Sequence, residues 1–455
     1  MFEDLRALIR RYLYEPDADR EAILAALPGD RGRSQVEDPV ATVRACLARE
    51  HEGRVPGMYL DERFEMPHLR ARYPDEHLNF LVPESYDPAR PTGLLVLLHG
   101  GGSGTPREAG ERWFEADTGV GGFGAVLAEM PYITAAPGNL QLPTHKRWSN
   151  TESNAYVLAV VEEASYRYAI DPDRVCIAGQ SMGGFGAFHI VQTIGDRFAT
   201  VGCHAGAWYW GFFEGLRGVD LHLMHGTQDA VLGVRPRFTD VAFARMASAI
   251  LSGLHLPHTY VEHDGGHSFT DRVAYECFQG FLERVPEAMR APFPAEIVTC
   301  SHKGAFRLYE SPDWFWLTLG RTHYGSIEMD HLEPTEPRPS YSTTGFRHHT
   351  ARIPAGTVHG RCDADNTISL QTRNMDELSV WLSREMVDFD RPVRVLVNGE
   401  IEHDGLVQPS LAVALDSYAR RRDPGMLFEA RIDLDIKRDD WELQKRFAPP
   451  VEPEQ

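Results

Sequence analysis

The chain has 455 residues and a formal net charge of −20, from 46 basic and 66 acidic residues. That balance argues against nucleic acid or an anionic membrane as partner, because neutralising phosphates needs a basic face. The length can bury a large core and predicts roughly two or three domains of an ordinary soluble protein.

The start, Met1-Phe2-Glu3-Asp4-Leu5-Arg6, lacks a basic region followed by an apolar segment. No apolar stretch approaches the ~20 residues needed to span a bilayer. The expectation is therefore no signal peptide, no anchor and a cytoplasmic location. Leu5, Leu8, Ile9 and Tyr12 repeat at helical spacing. Further helices are predicted over about 19–27, stopped by Pro28-Gly29, and over 40–47. Residues 1–70 thus read as a helical N-terminal extension, a packing cap in preference to a cover for a site or a dimer contact. Residues 71–290 alternate apolar strands with helices, the pattern of a mostly parallel α/β sheet covered on both faces. Strands are predicted near 77–83, 94–98, 131–136, 175–179, 199–204, 221–225 and 258–262. A closing helix is predicted over 271–284, and Pro286, Pro292 and Pro294 mark a linker.

Beyond about residue 295 the texture becomes β-rich, so 295–455 is predicted as a small sandwich-like accessory domain. Val393 to Val397 runs into Asn398-Gly399, the strongest short hairpin signal. One helix is predicted over 410–419. The segment 333–351, rich in Pro, Ser, Thr and His, reads as a loop, and His348-His349 within it as a loop pair. Trp314 and Trp316 lie two apart and share one side of a strand, and Trp381 sits among Leu378, Val380 and Leu382. Core packing is the preferred reading over a carbohydrate-stacking platform. The six cysteines, Cys46, Cys176, Cys203, Cys277, Cys300 and Cys362, have no Cys-x-x-Cys spacing and read as buried thiols in a reducing compartment.

The chemistry concentrates at strand ends. Gly179-Gln180-Ser181-Met182-Gly183 follows the apolar run Val175–Ala178 and precedes a helix-like segment. Strand, tight turn, helix is the setting of a nucleophile elbow. Leu94–Leu98 runs into His99-Gly100-Gly101-Gly102, a turn whose backbone N–H groups can approach a developing oxyanion. The N–H of Met182, directly after the serine, would be the other donor. A third strand ends in His225-Gly226-Thr227-Gln228-Asp229, and a fourth leads into His263-Asp264-Gly265-Gly266-His267. Ser181 alone is a weak nucleophile, so His267 would take its proton and Asp229 would fix the imidazole tautomer. His263 is the rival base, and Asp264 the weaker rival acid. His99 and His225 read as residues that orient their turns. A metal bound by His263 and His267 at i, i+4 would need a helix, and two glycines separate them. No metal and no cofactor are expected.

On these motifs the segment from about 80 to 285 resembles an α/β-hydrolase. Within that fold it is similar to the esterase branch that includes polyhydroxybutyrate depolymerase-like and feruloyl esterase-like proteins. The phrase Tyr168-Ala169-Ile170-Asp171-Pro172-Asp173-Arg174-Val175 is similar to that branch and to prolyl-oligopeptidase-type peptidases. The resemblance covers less than half the chain. It implies Ser181, Asp229 and His267 as a triad and Gly101, Gly102 and Met182 as the oxyanion hole, without settling which glycine N–H points inward. Trp148, Trp208 and Trp210 follow strand ends and are expected to contact substrate. The predicted activity is carboxylic ester hydrolysis through an acyl-enzyme, on carbohydrate-linked or aryl esters. A serine peptidase shares the same triad. Such peptidases carry their β domain before the hydrolase domain, whereas here it follows. A non-catalytic binding protein on this scaffold is the reading from a different class. Self-association is left open.

Overall fold

The computed structural model describes residues 2–15, 18–27, 37–51, 54–101, 105–116, 122–138, 140, 148–207, 210–229, 240–301, 312–323, 325–334 and 346–436. The chain opens with three helices, α1 (Phe2–Tyr14), α2 (Arg20–Ala26) and α3 (Pro39–Leu47). Leu5, Ile9 and Tyr12 form the buried stripe of α1. Asp19 and Asp38 cap α2 and α3 by accepting the N–H of Ala22 and Ala41, and Pro39 fits the first turn, where its missing donor costs nothing. The apolar faces of these helices join Leu411, Ala414, Leu415 and Tyr418, near the far end of the chain, in one buried cluster.

The central sheet takes β1 (Gly57–Glu62), β2 (Leu78–Val82), β3 (Thr92–Leu98), β4 (Tyr132–Ala135), β5 (Ile170–Gln180), β6 (Val201–His204), β8 (Leu221–Gly226) and β9 (Thr259–His263). The short strand β7 (Trp210–Gly211) lies outside it. The order is β1-β2-β4-β3-β5-β6-β8-β9. The β1–β2 and β2–β4 pairs are antiparallel and the rest parallel. The intervening helices are α4 (Pro67–Arg72), α5 (Pro106–Glu111), α6 (Gly124–Glu129), α7 (Thr151–Arg167), α8 (Met182–Ile194), α9 (Val241–Gly253) and α10 (Arg272–Leu282). Strand β3 shows why its sequence is continuously apolar. Leu94, Val96 and Leu98 join the core under α7, α8 and α9, while Leu95 and Leu97 join the core under α6 and α10. This is an α/β-hydrolase core, with all seven expected strands present.

One strand of this sheet was not expected. β1 extends the sheet antiparallel at its edge, so the sheet begins at Gly57, inside the segment read as a helical extension. Its sequence carries no alternation because it is half exposed and irregular, with a register shift between Tyr59 and Glu62 and Asp61 at φ 61°.

Beyond the linker, β10 (Glu296–Cys300), β11 (Asp313–Trp314), β12 (Leu317–Leu319), β13 (Ser326–Pro334), β14 (Phe346–Pro354), β15 (Thr357–Asp363), β16 (Thr367–Arg373), β17 (Glu377–Leu382), β18 (Val393–Val397), β19 (Glu400–Gly405) and β20 (Ala430–Asp435) accompany α11 (Leu411–Arg421). A five-stranded sheet, β10-β15-β16-β18-β19, and a four-stranded one, β11-β12-β17-β20, contribute side chains to the same buried cluster. Trp314, Trp316 and Trp381 are all sealed inside it. Asn398 and Gly399 turn β18 into β19 with φ 53° and 93°, the left-handed pair that a two-residue hairpin turn requires.

The loop expected over 333–351 is corrected at its two ends, 333–334 and 346–351; residues 335–345 lie outside the described residues. Residues 326–334 and 346–354 form the hairpin β13–β14 in continuous antiparallel register, with His348 opposite Leu332 and His349 opposite His331. The composition misled because cross-strand pairing, not intrinsic propensity, holds these polar residues extended. The hairpin also pairs with β7, Asp330 opposite Gly211, so the C-terminal region adds strands to the loop that follows β6.

A buried ionic seam fastens the two regions. Arg290 donates to Asp173 at 2.7 Å and to Asp423 at 2.5 Å, and Arg197 donates to Asp423 and to the Arg421 carbonyl. Asp196 accepts the Phe315 N–H, and Arg421 donates to the Phe315 carbonyl. Burial alone would raise the Asp423 carboxyl, but the Arg290 guanidinium outweighs it and holds the group at about 2. Burial pushes Arg421 down to about 10. Among the described residues no helix is long and apolar enough to cross a membrane.

Candidate active site

Strand β5 delivers Ser181 at its carboxyl end, in the sharp turn before α8. Ser181 has φ 55° and ψ −119°, a conformation costly for a residue with a Cβ. The flanking residues must be glycine. A Cβ on Gly179 would collide with the Gly183 carbonyl, and one on Gly183 with the Leu98 carbonyl. The turn is tied down by Ser181 N–H donating to the His204 carbonyl at 2.9 Å and by the Ser181 carbonyl accepting from Phe185 at 2.8 Å. The serine side chain does not cap α8, so its hydroxyl is free for another partner.

That partner is His267. Its Nε2 lies 2.8 Å from Ser181 Oγ, and its Nδ1 lies 2.9 Å from Asp229 Oδ2. Since a carboxylate only accepts, Nδ1 carries the proton and Nε2 can accept the serine O–H. Asp229 stands just beyond β8 and His267 just beyond β9. The two loops are tied together, with Thr227 N–H donating to His263 O at 2.8 Å and Gln228 N–H to Gly265 O at 3.0 Å. Gln180 Nε2 donates to the His267 carbonyl at 2.7 Å, which fixes the histidine loop against the elbow.

The carboxylate sits in the interior. Burial pushes Asp229 up, but N–H groups from His225 and His267 outweigh burial and leave it below its ordinary range. It is therefore ionised at neutral pH.

The rivals fall elsewhere. His263 Nε2 meets His204 Nε2 at 3.2 Å, and its Nδ1 accepts the Gly265 N–H at 3.1 Å. Nδ1 of His263 is thus unprotonated, its Nε2 donates, and both rings are neutral, pushed down chiefly by burial. Asp264 presents its carbonyl to Gln228. Among the described residues no group of three His, Cys, Asp or Glu side chains could hold a metal ion.

The glycine turn after β3 lies against the elbow. A Cβ on Gly101 would touch Met182, and one on Gly100 would press on Ser181 and Gln180. Gly102 lies outside the described residues. Met182 opens α8, so its N–H is one of the donors a helix leaves unpaired. His99 Nδ1 donates to the Gly100 carbonyl at 2.8 Å, and the Trp148 indole donates to the His99 carbonyl at 3.0 Å.

Trp148 corrects an expectation. It is 0 % exposed and cannot meet substrate; it props the glycine turn from beneath, because its indole N–H is spent on His99. Trp208 lies outside the described residues, as does the side chain of Trp210, whose backbone forms β7. Among the described residues, Trp113 and Phe269 line the cleft at Ser181, beside Arg112 and Ser268, around a volume of about 260 Å³. Sequence reasoning missed both. Phe269 stands two residues after His267, and Trp113 lies in the short helical turn that follows the glycine loop.

Residues 74–212 match the esterase family model, described as "Putative esterase". A stretch of 82 residues is 30% identical to the bifunctional acetylxylan esterase/xylanase XynS20E of Neocallimastix patriciarum, covering 18% of this chain and 12% of that protein. Among solved structures, the chain is similar to the S-formylglutathione hydrolase FrmB of Staphylococcus aureus (18% identity, TM-score 0.39, 51% of this chain and 98% of that one). It is also similar to the ferulic acid esterase AmCE1/Fae1A of Anaeromyces mucronatus (16% identity, TM-score 0.36, 52% of this chain and 92% of that one).

Proposed function

We propose that this chain, whose residues 74–212 match the esterase family model, cleaves carboxylic esters by a serine mechanism. The observation that carries the proposal is the line Ser181 Oγ, His267, Asp229, closed by contacts of 2.8 and 2.9 Å at the mouth of a cleft. Ser181 attacks the ester carbonyl as His267 Nε2 takes its proton. Asp229, ionised and buried, holds the His267 tautomer and stabilises the imidazolium. The tetrahedral oxyanion is received by the N–H groups of Met182 and of the glycine turn at Gly101. The positive end of α8 adds to the field there. His267 then protonates the leaving alcohol, and water, activated by the same imidazole, releases the acid from Ser181.

Trp113 and Phe269 give the cleft flat apolar walls suited to an aryl or short acyl group. The 82-residue likeness to a bifunctional acetylxylan esterase/xylanase supports an ester borne on a carbohydrate. The test is Ser181→Ala on short p-nitrophenyl esters. The proposal predicts loss of at least about a thousandfold in kcat, and an undiminished rate would end it.

A further inference from the structure

The Asp229 carboxylate is held in an unusual way. Its side chain is 1 % exposed, yet its Oδ1 has no hydrogen-bond partner among the described residues. Two imidazoles converge on the other oxygen, with His267 Nδ1 at 2.9 Å and His225 Nε2 at 3.0 Å from Oδ2. His267 gains and loses a proton during turnover and must reorient toward the leaving group, so it cannot be the fixed point of the pair. His225 can. It is buried near the end of strand β8, four residues before Asp229. Its Nε2 must be the donor, because Oδ2 only accepts. The neighbouring pair His204 and His263 is committed to itself and to Gly265.

We infer that His225 is a positioning residue whose Nε2–H clamps the Asp229 carboxylate, and through it aims His267 at Ser181. The inference rests on the esterase reading above. A carboxylate with a single donor can swing and exchange its two oxygens. A second donor on a rigid strand removes that freedom, so productive alignment of the His267 ring is present before substrate arrives.

The experiment uses the full chain and two variants on p-nitrophenyl acetate. His225→Leu keeps bulk and removes the donor, and kcat should fall about tenfold to a hundredfold with KM nearly unchanged. His225→Gln restores an amide N–H at similar reach and should recover most of the loss. Histidine-selective 15N NMR of the unmutated chain should show a protonated, exchange-protected His225 Nε2 that shifts on Asp229→Asn. A folded His225→Leu variant with unchanged kcat would overturn the inference, as would a His225→Gln no better than His225→Leu. If His225→Leu does not fold, an unprotonated Nε2, or one indifferent to Asp229→Asn, overturns it. A parent chain inactive on every ester would overturn the esterase reading instead, and the NMR coupling would still decide whether His225 clamps Asp229.

Discussion

Asp423→Asn is the sharpest perturbation of the seam between the hydrolase core and the C-terminal sheets. Asp423 Oδ2 faces Arg290 at 2.5 Å and Arg197 at 3.3 Å, while Oδ1 accepts the N–H of Gly425 and Met426. Asparagine keeps an acceptor for the two backbone donors but turns an amide toward two guanidiniums. Removing one partner of a buried pair typically costs about 3–5 kcal/mol. The same contact should show in the pH dependence of stability. Asp423 is buried and held at about 2, against an ordinary 3.8. That depression corresponds to about 2–3 kcal/mol at 1.36 kcal/mol per unit. Because the folded-state value is the lower one, the contribution is complete above about pH 4 and is lost as the pH falls toward about 2. Equilibrium urea unfolding, followed by fluorescence of the buried Trp314, Trp316 and Trp381, measures both effects. The variant should lose about 3–5 kcal/mol at pH 7, and its stability should fall less between pH 4 and 2 than that of the parent. An Asp423→Asn chain with parental stability and a parental acid profile would refute the reasoning.

Trp148→Phe should keep the core filled but release the His99 carbonyl. Slack in the glycine turn should lower kcat by about tenfold, read on p-nitrophenyl acetate, with little change in the unfolding midpoint. Expressing residues 1–290 alone should give insoluble or unfolded protein in a sedimentation assay. The fragment strips α1 and α3 of Leu411, Leu415 and Tyr418 and leaves Arg290 without Asp423.

The parts of the fold legible in the sequence are those whose residues carry their own reason. Strand β3 is apolar on both faces because two helical layers cover it. Gly179 and Gly183 flank Ser181 because a side chain at either would strike backbone. Asn398-Gly399 specifies its turn by φ alone. The parts that were not legible depend on distant partners. Strand β1 is an irregular edge whose strand neighbour among the described residues is β2, and β14 is held extended by its pairing with β13. Trp148, though in a loop that follows a strand, folds under the glycine turn and disappears from the surface. His225 was read as a local turn residue. Its aim at Asp229 follows from the path of the chain after Gly226, which periodicity does not encode. Trp113 reaches the cleft through α5, a helix whose capping box at Thr105 and Glu108 fixes its direction.

The central claim is that Ser181 is a nucleophile made reactive by the folded arrangement of His267 and Asp229. Incubating the folded chain with a fluorophosphonate and locating the adduct by peptide mass spectrometry tests it most directly. The account predicts stoichiometric modification of Ser181, abolished by Ser181→Ala, by unfolding, and strongly slowed by His267→Ala. Folded protein left unmodified at Ser181, or modified equally fast without His267, would contradict it.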